Sequence, residues 1–139
     1  MIDTSTFLFV YGTLRPVFDN SFSLYLRQRS HYVGDGSFSG QLYDLGSYPG
    51  AIYQKNSPTS VFGTVYDISK NNETVLTYLD YYEGVGPEFE SPTEYVRVIV
   101  PVMCNERLLN CWAYVYNYPS EGRPLIESGD YCHHLNLLK

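Results

Sequence analysis

The sequence is short of charge, and of positive charge most of all. Charged residues make up 17% of its 139 positions, against an average of about 25%, and nine Lys and Arg stand against fifteen Asp and Glu for a net charge of -6. An acidic surface offers no field for a polyphosphate partner, which excludes general nucleic-acid binding. Long apolar runs are missing as well. Phe7-Leu8-Phe9-Val10 falls far short of the roughly 18 residues that span a bilayer, and no basic segment precedes it as in a signal peptide. A soluble, cytoplasmic protein without a membrane partner is expected. Cysteine is scarce and odd in number: Cys104, Cys111 and Cys132 make no disulfide framework in a chain long enough to fold without one, so reduced, buried thiols are expected. Linkers, low-complexity tracts and internal repeats are absent, and the length suits one domain over residues 1–139.

Several chemical motifs are also missing. No G-x-G-x-x-G or Lys-bearing phosphate loop occurs. Gly36-Ser37-Phe38-Ser39-Gly40 fails as a nucleophile elbow because Phe38 takes the serine position. Cys132, His133 and His134 are adjacent, so their side chains diverge, and no other Cys or His stands at a zinc-site spacing. No metal site, and no cofactor, is expected.

Aromatic residues are what the chain has in excess, with 15 Tyr and 7 Phe. Phe7 to Tyr11 reads as a strand buried on both faces, ending at Gly12. Val61–Ile68 and Tyr95–Val100 are β-branched and aromatic, and Leu108–Tyr118 alternates Trp112, Tyr114, Tyr116 and Tyr118 against Cys111, Ala113 and Val115. Shorter strands fit Gly40–Leu45 and Ala51–Gln54 around the Tyr48-Pro49-Gly50 turn. Two stretches carry helical spacing. One runs between Asp19 and Arg29 with Asp19 or Asn20 as cap; the other places Val75, Leu76, Leu79 and Tyr82 on one stripe, closed by Gly84. Five to seven strands with two helices predict an α+β domain on a mostly antiparallel, barrel-like sheet.

Glu83 stands out. At about 100° per residue it falls ~20° from Leu76 and ~40° from Leu79, on the apolar stripe. Asp80 lies further round and should be better solvated. Glu83 either pairs with Arg97 or a tyrosine hydroxyl as a structural residue, or stands as a titrating acid. In the second case the negative end of the helix and partial burial raise its pKa toward the range useful for proton transfer. Tyr11-Gly12-Thr13-Leu14-Arg15-Pro16 is the other constellation, a strand running into a turn whose successive N–H groups can converge on an anion. Gly12 should either hold a positive φ or lie close to a ligand.

Tyr11-Gly-Thr-Leu-Arg15, Leu79-Asp-Tyr-Tyr-Glu-Gly84, Tyr95-x-Arg97 and Trp112-Ala-Tyr-Val-Tyr116, in this order and spacing, resemble the gamma-glutamylcyclotransferase-like family. Gly40–Gly46, Tyr48-Pro49-Gly50 and Ser128–Tyr131 are similar to family segments too. Thr13 is closest to the AIG2-like, gamma-glutamylamine cyclotransferase branch and its bacterial relatives. The resemblance implies a small β-barrel with flanking helices and a cofactor-independent release of 5-oxoproline from a small gamma-glutamyl amine or peptide. It further implies Glu83 as acid/base, Tyr11, Gly12, Thr13 and Leu14 as the binding loop, and Tyr116 as a pocket wall. Two other readings are a non-catalytic binder of a small amino-acid-like ligand on the same fold and a tyrosine-rich interaction module.

Overall fold

The computed structural model describes residues 5–136. Six strands follow along the chain: β1 (Phe7–Val10), β2 (His31–Asp44), β3 (Pro49–Tyr53), β4 (Ser60–Asp67), β5 (Tyr95–Cys104) and β6 (Arg107–Tyr116). Between them lie α1 (Ser21–Gln28) and α2 (Asn72–Glu83), and a single helical turn, α3 (Tyr131–His134), comes last. Strands pair in the order β2-β4-β1-β6-β5, and β5 returns to β2 through Gly36↔Cys104 and Ser37↔Met103. The sheet therefore closes into a five-stranded barrel, with β3 added outside on β2. Every pair is antiparallel except β1–β6. Closure leaves few unpaired strand edges.

Side-chain alternation divides the core in two. Phe9 and Tyr11 point into the barrel with Phe38, Val65, Val102, Cys111 and Ala113. Leu8 and Val10 point out, beneath the helices, with Leu26, Val75, Leu79 and Tyr114. This explains why β1 reads as a continuous apolar run: both of its faces are covered. On β6 the expected split holds, with Cys111 and Ala113 inside and Trp112, Tyr114 and Tyr116 under the helices. All three cysteines are free and buried.

Local signals set both longer helices. Asn20 caps α1, its Oδ1 accepting from the Ser23 N–H at 2.8 Å. Gly84 ends α2 at φ 73°; its N–H donates to the Tyr81 carbonyl at 3.2 Å, and that of Val85 to the Asp80 carbonyl at 2.8 Å. That pairing is a Schellman close, which glycine permits without steric cost. No helix among the described residues is long and apolar enough to cross a membrane.

One strand differs from the sequence reading. β2 begins at His31 rather than Gly40, through a stretch whose Gly34 and Gly36 speak against a strand by propensity. Barrel closure requires them. A Cβ on Gly36 would stand 2.8 Å from Val102 Cγ1 and 2.9 Å from the Met103 carbonyl oxygen, so a side chain at this position would crowd the β2–β5 contact. Gly36→Ala should accordingly lower unfolding free energy by about 1–3 kcal/mol, read as a fall in the urea midpoint; unchanged stability would mean that the barrel does not close here.

Candidate active site

Three segments meet where β1 ends. The Tyr11–Leu14 loop forms one wall of a cavity of about 370 Å³, Tyr82 and Glu83 form a second, and Ser47–Pro49 with Glu94 and Tyr95 form a third. Phe9, Val10 and Tyr114 complete the lining. Such a volume suits a small molecule.

The loop is held from several sides. Tyr11 is buried, and its hydroxyl donates to the Tyr114 carbonyl at 2.6 Å while accepting the Ala51 N–H at 3.1 Å. Its phenol is thus an anchor for the loop. Thr13 Oγ1 lies 2.7 Å from the Tyr82 hydroxyl, and the Thr13 carbonyl accepts from Asn20 Nδ2 at 2.9 Å. Leu14 packs into the outer core, and the Arg15 N–H closes the turn on the Gly12 carbonyl at 3.1 Å. Among the described residues, the N–H groups of Gly12, Thr13 and Leu14 meet no acceptor. Such unpaired donors can hold an anion. Gly12 does not hold a positive φ. A Cβ there would come 2.9 Å from Pro49 Cγ, so the close approach of Pro49, rather than backbone handedness, favours glycine at this position.

Glu83 is the last residue of α2. It forms no ion pair with Arg97. Arg97 instead grips Asp80, Nε to Oδ1 at 2.7 Å and Nη2 to Oδ2 at 3.0 Å, and the Tyr114 hydroxyl donates to the same Oδ1 at 2.7 Å. Asp80, expected to be well solvated, is therefore the structural carboxylate of this helix, with a side chain only 22% exposed. Burial pushes the Glu83 carboxyl up to about 8, and the neighbouring Glu94 and Asp80 carboxylates add to the rise. Burial, with Glu83 among the nearby charges, also pushes the Tyr11 and Tyr95 hydroxyls upward, so both remain protonated donors. The Tyr95 hydroxyl donates to the Pro49 carbonyl at 2.6 Å.

Tyr116, expected as a pocket wall, lies behind the lining. It packs against Tyr95 with ring centroids 6.0 Å apart, and Tyr114 takes the lining place on the same face of β6. That face was identifiable from alternation; Tyr116 is set against Gly50 of β3 and Tyr95, while Tyr114 is among the residues that line the cavity. Tyr48 and Glu94 escaped the sequence reading. The Tyr48 hydroxyl lies 3.1 and 3.0 Å from the two Glu94 carboxylate oxygens, a contact across a turn and a loop that no spacing rule reveals. Among the described residues, the lining carries two carboxyl groups and no Lys, Arg or His. At Cys132-His133-His134 the side chains separate: Cys132 is buried, while His134 Nε2 sits 2.9 Å from Asp44 Oδ2. No cluster able to hold a metal ion occurs among the described residues.

Fold and cavity define a small α+β barrel with a cavity at the end of β1 of a size that suits a small molecule. The chain belongs to the family described as gamma-glutamyl cyclotransferase, AIG2-like, whose profile matches residues 8–133. It is similar to the gamma-glutamylcyclotransferase family protein YtfP of Escherichia coli strain K12, with 35% identity over 125 residues that cover 89% of this chain and 94% of that one. The solution structure of Escherichia coli ytfP matches with a TM-score of 0.64 at 33% identity, over 92% of this chain and 97% of its own. Bacillus subtilis YkqA shares the fold at 24% identity and a TM-score of 0.72, over 96% of this chain and 42% of its own.

A carboxyl whose pKa is raised in the folded state binds a proton there that the unfolded chain has released, so it stabilises less as pH climbs from the unfolded value of 4.5 toward about 8. Glu83→Gln removes that penalty. One pKa unit is worth about 1.4 kcal/mol; discounted for the open side of the cavity, the variant should exceed wild type by roughly 1–2 kcal/mol at pH 9 and differ little at pH 4. Urea unfolding at both pH values checks this, and a variant less stable than wild type at pH 9 would show that Glu83 holds the fold together.

Proposed function

We propose that the protein is a cofactor-independent gamma-glutamyl cyclotransferase that releases 5-oxoproline from a small gamma-glutamyl amine. One observation carries the reading: an acid with its pKa raised to about 8 faces a loop of unpaired N–H groups across a cavity for one small molecule.

In the proposed reaction the substrate's α-amine attacks its own γ-carbonyl. A C–N bond forms and closes a five-membered ring, and the Glu83 carboxylate takes the proton from the attacking nitrogen. The tetrahedral intermediate then expels the leaving nitrogen, which receives that proton from Glu83 as its C–N bond breaks. The products are 5-oxoproline and the free amine, so no oxidant or further reactant is required. Holding amine and carbonyl together in one folded conformer supplies much of the acceleration, since well-aligned intramolecular reactions reach effective molarities of about 10⁵–10⁸ M. Glu83 supports its part because a base works best with a pKa near the working pH. The amides of Gly12, Thr13 and Leu14 provide preorganised donors for the oxyanion or for the substrate's α-carboxylate.

Glu83→Gln keeps the shape and loses the proton relay, so 5-oxoproline release should fall by about 10²–10⁴-fold while affinity for a gamma-glutamyl amide survives in a calorimetric titration. An active variant would overturn the reading, and wild type that binds such an amide without turnover would make the protein a binder. The pH profile gives a second check. Because the carboxylate is the working form, kcat/KM should rise with pH along an acid limb centred near 8, and a limb centred near 4.5 would place the base elsewhere.

A further inference from the structure

Glu94 faces the same cavity as Glu83, and the only hydrogen-bond partner of its carboxylate among the described residues is the Tyr48 hydroxyl, 3.1 and 3.0 Å from its two oxygens. No Lys, Arg or His makes a salt bridge with it among those residues. Arg97, three positions along, is turned to Asp80, and Arg15, at the end of the cavity loop, is turned to Asp130 at 2.9 Å. A second carboxylate without a cation thus stands beside the acid. A phenol hydrogen bond steers it without neutralising it.

We infer that Glu94, oriented by Tyr48, is the specificity residue for the leaving group: it favours gamma-glutamyl compounds whose leaving amine carries a further positive charge and rejects those whose leaving group carries a carboxylate. The inference rests on the proposed cyclotransferase reading. A gamma-glutamyl group brings one ammonium and one carboxylate. On that reading the ammonium nitrogen is committed to Glu83 and the carboxylate or oxyanion to the loop amides, which leaves Glu94 facing the remainder of the ligand. Half-buried between Tyr48 and the cavity, it acts where charges are screened less than on an open surface. A leaving-group cation meets a partner there. A carboxylate meets a like charge; Arg123 is near enough to Tyr48 to act on its hydroxyl through space, but it makes no salt bridge with Glu94 among the described residues.

Three substrates of matched length isolate this effect: the gamma-glutamyl derivatives of putrescine, n-butylamine and γ-aminobutyrate, which present a cation, a methyl group and a carboxylate at the far end of one chain. In wild type kcat/KM should fall in that order. Glu94→Gln should shrink the putrescine-to-aminobutyrate ratio on the order of tenfold or more. Taking the ratio cancels any change that Glu94 imposes on Glu83 itself. Equal losses on all three substrates would place Glu94 on the α-ammonium, and an unchanged ratio would remove it from specificity; either result overturns the inference. Should the variant fold poorly, raising salt on wild type gives the same information, because a Coulombic preference narrows with ionic strength and one that stays constant contradicts the proposal. If wild type turns over none of the three, the cyclotransferase reading fails, and thermal shift with the same compounds still decides the charge preference: graded stabilisation from cation to carboxylate supports it and a flat response overturns it.

Discussion

The Asp80–Arg97 pair determines the electrostatics of this molecule. Two parallel hydrogen bonds join the guanidinium to the carboxylate, the Tyr114 hydroxyl adds a third, and the guanidinium carbon lies 4.4 Å over the Trp112 ring. One carboxylate on α2 is thereby tied to β5 and β6 at once. A half-buried pair of this kind adds little net stability on its own, but removing one partner strands the other at a cost of roughly 3–5 kcal/mol. A second consequence lies three residues on. With Arg97 turned to Asp80, Glu83 makes no salt bridge among the described residues, and burial, with the like charges of Glu94 and Asp80 nearby, raises its pKa.

Position of the loop follows from the barrel. β1 is only four residues long, yet it sits between β4 and β6 with both faces covered, so its end is as fixed as any point in the core. Tyr11 then fastens the exit, its hydroxyl bridging the Tyr114 carbonyl and the Ala51 amide. A few residues later Asn20 works in two directions, capping α1 with Oδ1 and holding the Thr13 carbonyl with Nδ2. The start of a helix and the direction of the loop amides are therefore set by one side chain. Pro49 closes the remaining side against Gly12. A loop pinned in this way presents its donors with little reorganisation, which is the condition for electrostatic stabilisation of developing charge.

Much of this was legible in the chain. Period-two alternation in Leu108–Tyr118 and the unbroken run Phe7–Val10 specified strands and their inward faces, and the stripe Val75-Leu76-Leu79 with Gly84 behind it specified α2 and placed Glu83 toward the interior. What escaped depends on contacts between distant segments. Gly34 and Gly36 read as breakers because their value lies in making room for β5, which no local pattern announces. Asp80 reads as solvated on a helical wheel, since the wheel does not contain Arg97 or Tyr114. Tyr116 and Tyr114 share a face, and the packing of Tyr116 against Gly50 and Tyr95, segments distant in the chain, leaves Tyr114 as the one that reaches the cavity. Glu94 carries no local signal, because its importance comes from Glu83 and Tyr48, each brought to it by the fold.

An acidic cavity in an acidic protein would be a poor receptor for most amino-acid derivatives, and that difficulty clarifies the proposed chemistry. With no Lys, Arg or His among the described residues of the lining, the proposed substrate's carboxylate would have only backbone amides to meet. On the proposed reading its α-nitrogen lies toward Glu83 at the end of α2 and its carboxylate toward the β1 loop. Burying Glu83 costs stability at neutral pH, and the same burial moves its pKa into the range where a proton can be taken and returned. On the proposed reading, stability and function are opposed at this one side chain, and the well-packed barrel beneath it can bear the cost.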